Sequence, residues 1–163
     1  MRDETSIFSS RRNPKIDGYQ PDPNMFGVHL ELCSPIIRMA VLRLMTDFRN
    51  NIRIENLAKD LNVHPSHLER QFKNQNDTIT LKQLLIGFRL HYATFLICFE
   101  NLKLNEIAEK AGFASARDLY RSFRHHLGIT AAHYKQSCKF EHFKSIYDKG
   151  TRMRAARRNV EKK

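Results

Sequence analysis

The chain has 163 residues and a formal net charge of +11, because 28 Lys and Arg outnumber 17 Asp and Glu. This length suits one compact domain, or two very small ones that share a core. No apolar stretch approaches the roughly 18 residues of a membrane span, and the N-terminus lacks the apolar segment of a signal peptide, so we expect a cytoplasmic protein. The excess positive charge predicts an anionic partner, with nucleic acid as the first candidate.

Residues 1–33 are predicted to form an N-terminal extension, either a loop or a partly ordered segment. Asn13-Pro14 and Pro21-Asp22-Pro23 interrupt regular structure in this part of the chain. Residues 26–32 alternate apolar and polar side chains, which is typical of a short strand. A lone strand is not stable, so loose packing of this segment on the core is the alternative.

Residues 34–135 are predicted to be helical throughout. Ser34-Pro35 indicates a helix start, with a hydroxyl cap followed by proline at the first helical position. The helix that follows is predicted to end at Asn50-Asn51. Further helices are predicted at residues 54–61, 65–74, 80–99, 104–111, 115–127 and 130–134. Gly112 and Gly128 stand where left-handed helix caps are expected. The predicted fold class is therefore all-α, followed by a basic C-terminal extension at residues 136–163.

One pattern occurs twice in the helical region. The two copies read Leu57-Ala58-x-x-Leu61-Asn62-Val63-x-x-x-x-Leu68-x-Arg70-x-Phe72 and Ile107-Ala108-x-x-Ala111-Gly112-Phe113-x-x-x-x-x-Leu119-x-Arg121-x-Phe123. Each copy predicts a short helix, a tight turn and a second helix, which is the layout of a helix-turn-helix unit. In that unit the second helix lies in the major groove of DNA and its N-terminal half reaches the base edges.

Two sets of side chains are predicted to point outward from these second helices. They are Ser66, His67, Glu69, Arg70 and Lys73 in the first copy, and Ala116, Arg117, Tyr120, Arg121 and Arg124 in the second. Arginine suits base reading because its fork can bond guanine O6 and N7 together. Glu69 can accept a hydrogen bond from cytosine but repels phosphate. Tyr120 is interpreted either as a contact in the groove or as a tyrosine at its rim.

The helix between the two copies sets the distance between their second helices. Residues 80–99 span about 30 Å as a helix, and successive major grooves on one side of a duplex lie about 34 Å apart. We therefore expect a monomer that places its two second helices about one turn apart on an asymmetric site of about 20 base pairs.

Residues 34–135 resemble the DNA-binding domain of the AraC/XylS family of bacterial transcription regulators. The matching motifs are Leu57-Ala58, Leu68-x-Arg70-x-Phe72, Arg89-Leu90-x-x-Ala93, Ile107-Ala108-x-x-Ala111-Gly112-Phe113, Ser115-x-x-x-Leu119-x-Arg121-x-Phe123-Arg124, Gly128-Ile129-Thr130 and Tyr134-Lys135. The resemblance implies two helix-turn-helix subdomains joined by a long linker helix. The first lobe would span residues 34–79, the linker helix residues 80–99 and the second lobe residues 100–135.

The resemblance also implies roles for individual residues. The expected base-facing residues are Ser66, Glu69, Arg70, Ala116, Arg117, Tyr120 and Arg121. The expected phosphate-contacting or flanking residues are His67, Lys73, Ser115 and Arg124. The implied function is transcription activation on double-stranded DNA beside RNA polymerase. Because 33 preceding residues are too few for an effector domain, the chain resembles the short, stand-alone members, whose activity is set by abundance. Phe88, beside Arg89, departs from the family pattern and is expected to cover an extra contact.

Several alternatives remain open at this stage. A protein-interaction module of the same fold, acting on RNA polymerase or a related regulator, is the second hypothesis, because Glu69 and Ala116 weaken base readout. The cationic residues 152–163 are predicted to be a frayed helix or disordered. They are interpreted as a solvated end or as sequence-independent phosphate contacts, which would make the chain a general nucleic-acid binder. Membrane binding is not expected, since this stretch has too few large apolar residues.

Metal, cofactor and enzymatic chemistry are not expected. His64-x-x-His67 lacks the Cys or carboxylate residues that would complete a metal site, and His125-His126 lacks a useful helical spacing. No phosphate-binding loop or nucleophile triad is evident. The three cysteines are odd in number and far apart, which indicates reduced thiols.

Overall fold

The computed structural model describes residues 19–137 and 140–161, and every regular element in these two ranges is helical. This confirms the predicted all-α class. The helices are α1 (Pro35–Asp47), α2 (Ile54–Asp60), α3 (Pro65–Gln75), α4 (Leu81–Phe99), α5 (Leu104–Lys110), α6 (Ala116–Ser122), α7 (Ala131–Ser137) and α8 (Phe143–Val160). None of these helices combines the length and apolar character needed to span a membrane.

Local capping explains where the linker helix begins, whereas the first helix begins without a side-chain cap. Thr80 accepts a hydrogen bond from the Gln83 backbone at 3.2 Å, and the Gln83 side chain accepts one from the Thr80 backbone at 2.9 Å, which forms a capping box at α4. Helix α1 begins at Pro35 as predicted, but the Ser34 hydroxyl does not cap it. That hydroxyl instead accepts a hydrogen bond from the Gln75 side chain at 2.9 Å, so Ser34 connects the start of α1 to the end of α3.

The two copies of the repeat form turns with the same hydrogen bonds. Val63 N–H donates to the Ala58 carbonyl at 3.0 Å, and Phe113 N–H donates to the Ala108 carbonyl at 2.9 Å. Asn62 and Gly112 occupy the matching left-handed positions, with φ of 55° and 81°. Each turn is therefore a Schellman-type helix end that leads directly into the next helix. This geometry confirms the two predicted helix-turn-helix units.

The second turn requires glycine because the first lobe lies against it. A Cβ atom at Gly112 would lie 2.7 Å from the Phe48 carbonyl oxygen and 2.8 Å from that of Arg49. From the linker helix, Arg89 Nε donates to the same Phe48 oxygen at 2.7 Å, and Arg89 Nη2 donates to the Asn50 oxygen at 2.8 Å. The first lobe, the linker helix and the second lobe thus meet at the end of α1.

The segment before α1 packs on the linker helix and is not a strand. Pro23–Phe26 and Leu30–Leu32 form single helical turns, and Phe26 and Val28 are buried. The Phe26 ring packs edge-to-face on Phe88, with centroids 5.5 Å apart. Phe88 therefore covers an extra contact, as expected, and the alternation in residues 26–32 reflects side chains of a coil anchored to α4.

The C-terminal segment is helical and docks on the core. The sequence predicts a frayed helix or disorder for residues 152–163; residues 152–160 form the last half of α8, and residues 162–163 lie outside the described ranges. Phe143 and Tyr147 are buried against the core, and Tyr147 packs edge-to-face on Phe26 at 5.1 Å. Helix α8 therefore forms part of the folded structure, because its first half carries an apolar stripe.

The predicted helix at residues 115–127 changes form at its midpoint. Helix α6 ends at Ser122, and Phe123–Leu127 continue it as a wider π-helical turn before Gly128, whose φ is 72°. Arg154 of α8 donates to the carbonyl oxygens of His125 and His126, at 2.7 and 3.0 Å. A cation from α8 thus satisfies backbone oxygens in the wider turn.

We expect Gly112→Ala to destabilise the protein much more than Gly128→Ala. Both glycines have a positive φ, which costs an alanine about 1–2 kcal/mol, but a Cβ at Gly128 meets no atom within 4 Å. Gly112→Ala must also displace backbone, which adds about 1–3 kcal/mol to the loss. Urea denaturation followed by circular dichroism measures both losses. Equal losses in the two variants would contradict the tight lobe contact.

Acid is expected to destabilise the fold through His126. Burial, with smaller contributions from Arg154 and His125, lowers the pKa of His126 from 6.5 to about 3. Above the ordinary pKa the ring is neutral in both states. Below it the unfolded chain binds a proton that the folded chain excludes, so the free energy of unfolding falls as pH decreases from about 6.5 towards 3.

Urea denaturation at several pH values tests this expectation. The His126→Gln variant should lose less stability between about pH 7.5 and pH 5 than the parent protein, because it lacks the titrating ring. A pH dependence identical to that of the parent protein would exclude His126 as its source.

Candidate nucleic-acid interface

The second helices of the two helix-turn-helix units, α3 and α6, present most of the predicted residues to solvent. The exposed residues are Ser66, Glu69, Arg70, Lys73, Ser115, Arg117, Tyr120, Arg121 and Arg124. Two predicted residues differ from these. His67 is half-buried, and Ala116 is half-buried and packed against the core. Within residues 19–137 and 140–161, the segments on either side of the two units therefore do not seal either exposed face.

Side chains on α3 hold Arg70 at the helix surface. His64 caps the helix, because its Nδ1 accepts a hydrogen bond from the Ser66 backbone at 3.3 Å. Arg70 Nη2 lies 3.2 Å from His67 Nδ1, and the Gln71 amide lies 2.8 Å from His67 Nε2. A guanidinium group only donates, so His67 Nδ1 accepts the hydrogen bond from Arg70. His67 thereby restricts the Arg70 side chain.

A serine cap fixes the start of α6. The Ser115 hydroxyl accepts a hydrogen bond from the Asp118 backbone at 3.2 Å and donates to the Asp118 carboxylate at 2.8 Å. The same carboxylate lies 3.9 Å from Arg121 Nη1, and the side chains are 42% and 72% exposed. An exposed pair at this distance is weak, so Arg121 can exchange Asp118 for another acceptor. Tyr120 is 45% exposed beside it.

Helices α3 and α6 border one cleft, with the linker helix between them. Glu69 of α3 and Arg121 of α6 both line this cleft of about 690 Å³, together with Ile86 and Arg89 of α4. Burial lowers the pKa of Arg89, and that side chain is held by the α1 carbonyls. The fold thus places α3 and α6, here called the reading helices, beside one shared cleft.

Two cations in this cleft were missed by the sequence analysis. Arg53 precedes α2 and Lys82 lies in the first turn of α4, and both are exposed and line the cleft. Neither residue belongs to a reading helix, so the repeat pattern did not include them. Their only sequence signal is a positive charge near the start of a helix, which is common on protein surfaces.

The histidine pairs do not assemble a metal site in the described ranges. No group of three or more His, Cys, Asp and Glu side chains comes together there. His64 serves as a helix cap. His126 is buried in the wider turn while His125 is exposed.

Comparison with known proteins establishes the family. A family model described as "Helix-turn-helix domain" matches residues 57–137. The C-terminal domain of AraT, a response regulator from Geobacillus stearothermophilus, is 30% identical, with a TM-score of 0.60, and the match covers 64% of this chain and 86% of that domain. The chain belongs to the AraC/XylS family. This family consists of DNA-binding transcription regulators and not of enzymes, in agreement with the sequence-based expectation.

Two further AraC/XylS relatives show the extent of the similarity. The lactose operon transcription activator of Staphylococcus xylosus is 26% identical over 113 residues, which are 69% of this chain and 40% of that protein. The chain therefore spans less than half of that activator. The DNA-binding domain of AdpA, a global transcriptional factor solved with a target DNA, is 24% identical, with a TM-score of 0.58. That match covers 64% of this chain and 93% of the AdpA domain.

We expect Ser115→Ala to destabilise this AraC/XylS domain by about 1 kcal/mol, because it removes the cap of a reading helix. Ser66→Ala is the matched control. Ser66 is exposed near the start of the other reading helix, and its backbone N–H, not its hydroxyl, takes part in the cap of that helix. The control should change stability by less than about 0.5 kcal/mol. Thermal denaturation of the two variants measures the difference, and equal melting temperatures would contradict the capping role.

Proposed function

We propose that this AraC/XylS protein is a sequence-specific transcription regulator that binds DNA as a monomer through two adjacent major grooves. The observation that carries the proposal is the pair of solvent-exposed reading helices, α3 and α6, that border one cleft across a linker helix. A duplex would contact both helices at once, and Arg53 and Lys82 would lie near the backbone between the two half-sites.

The exposed side chains divide into two groups by their chemistry. Arg70 and Arg121 would donate bidentate hydrogen bonds to guanine, one in each half-site. Arg117 and Tyr120 lie on the exposed face of α6 and would contact neighbouring bases. Lys73 would contact phosphate and strengthen binding without sequence preference.

Transcription activation through contact with RNA polymerase is the further part of this proposal. The lactose operon transcription activator supports it by similarity. The AdpA domain, solved with a target DNA, supports the DNA-binding mode. The proposal covers all the residues predicted to face DNA. It includes the two that are half-buried: Ala116, and His67, which acts through Arg70.

Selection of bound duplexes from a random pool tests the DNA-binding proposal. We expect a bipartite motif with half-sites about 10 base pairs apart. Arg70→Ala and Arg121→Ala should each weaken binding by about 1–3 kcal/mol and relax base preference in one half-site only. The control is Arg152→Ala, an exposed arginine that lines a different cleft, beside Thr78 and Ile79. A selected pool without any motif would exclude sequence-specific reading.

A protein-interaction module of the same fold is the second candidate function. The observation that favours it is Ala116, which packs against the core at the start of α6 and therefore offers little surface for reading bases. Glu69 is an acidic group on the other reading helix. Recovery of RNA polymerase or a related regulator by the tagged protein after complete DNA digestion would favour this role. It is rejected if recovery depends on intact DNA.

A further inference from the structure

A cluster of cations lies where α8 meets the end of the second reading helix. Arg124, His125, Arg154 and Arg157, here called the α8 cluster, line a cleft of about 200 Å³. The cleft is completed by Gly128, Gly150 and Met153. The family model ends at residue 137, so α8 adds this cluster to the shared domain.

The α8 cluster lacks a neutralising carboxylate in the part of the chain that the structure describes. No Asp or Glu lines its cleft, and the four ion pairs in the described ranges involve none of its members. Burial, together with Arg154 and the neighbouring Arg158, lowers the pKa of His125, so the positive charge of the cluster comes from its arginines. Arg124, Arg154 and Arg157 line one cleft without an acidic residue, which favours an anionic partner.

The members of the cluster have different tasks. Arg154 is half-buried and donates to the His125 and His126 carbonyl oxygens, so it holds α8 on the wider turn. Gly150 permits this contact, because a Cβ atom there would collide with the His126 carbonyl oxygen. Arg124 and Arg157 are exposed, and neither side chain makes a hydrogen bond or an ion pair within the described ranges. These two arginines are the groups available to a ligand.

The α8 cluster continues the cationic face of the second reading helix. Arg117 and Arg121 are four residues apart on α6, which is the spacing of neighbours on one helical face. Arg124 follows in the wider turn that continues α6. Arg124 then shares its cleft with Arg157 of α8. The positive stripe therefore extends from the proposed base-reading residues onto a second helix.

We propose that Arg124 and Arg157 bind backbone phosphates on the outer flank of the half-site that α6 reads, so that α8 adds a third DNA contact. This inference rests on the proposed function, since it places the phosphates relative to α6 in its groove. A guanidinium group forms paired hydrogen bonds with phosphate oxygens and carries no base preference. Because α8 is already docked, Arg157 contacts the phosphate without the entropy loss of ordering a tail.

Salt titration of DNA binding by the full chain tests the contact. On a duplex that extends well beyond both half-sites, Arg157→Gln should make the negative slope of log K against log salt less steep by about 0.9, the value for one phosphate contact. That slope corresponds to an affinity change of about 3.5-fold per contact between 50 and 200 mM salt. Arg152→Gln is the matched control, because it removes the same charge from α8 but lines the cleft on another side of the helix.

A shortened duplex locates the contact. Trimming the DNA to the outer edge of the half-site read by α6 should weaken binding by the wild type and by Arg152→Gln, but should weaken binding by Arg157→Gln less, because only the Arg124 contact is left to lose in that variant. Both arginines are exposed, so equal melting temperatures are expected and serve as the folding check.

The possible outcomes separate this inference from the function on which it rests. Specific binding with equal slopes for Arg157→Gln and Arg152→Gln would overturn the third contact and leave the proposed function intact. A loss by Arg157→Gln that is equal on both duplexes would overturn the flanking position. Absence of specific binding by the wild type would overturn the proposed function and this inference with it.

Discussion

The placement of the two reading helices depends on a few carbonyl groups at the end of α1. The carbonyls at a helix C-terminus lack partners within the helix and carry partial negative charge. Here the Arg89 guanidinium of the linker binds the oxygens of Phe48 and Asn50. Gly112, in the second helix-turn-helix turn, packs on those of Phe48 and Arg49. The length of the linker helix fixes only the distance between the two lobes. The shared contact at the end of α1 also fixes the orientation of both lobes on the linker helix.

The extensions on both sides of the family domain reinforce the same linker helix. Phe26 from the N-terminal side packs on Phe88 and Tyr147, and Phe143 and Tyr147 come from α8. The two ends of the described chain therefore share one aromatic cluster against α4. Lys144 of α8 also donates to the Met25 carbonyl at 2.9 Å. The described parts of these extensions leave the exposed faces of α3 and α6 open, so they stabilise the scaffold without covering the candidate interface.

Local sequence patterns were sufficient to predict caps and turns, but not how segments pack on distant parts of the chain. The capping residue Thr80 and the left-handed Gly112 and Gly128 were correct because caps and turns depend on neighbouring residues. The strand suggested by the alternation in residues 26–32 is replaced by helical turns, and Phe26 of this segment packs on Phe88 of α4. The helical form of residues 152–160 was one of the two expected states, but the docking of α8 was not expected. That docking depends on Gly150 and on carbonyl oxygens of the wider turn, which are distant in sequence.

The sequence by itself determined the helices, the repeat and the surface of the reading helices, because hydrophobic periodicity and capping act over a few residues. It also carried the family resemblance, which the comparisons confirmed. Only the tertiary structure decided that Arg154 is a structural group while Arg157 stays exposed, and that Ala116 packs inward. Arginines on the same helix, such as Arg154 and Arg157, cannot be told apart from the sequence alone. Their roles depend on which backbone oxygens and which neighbouring helix the fold brings within hydrogen-bonding distance.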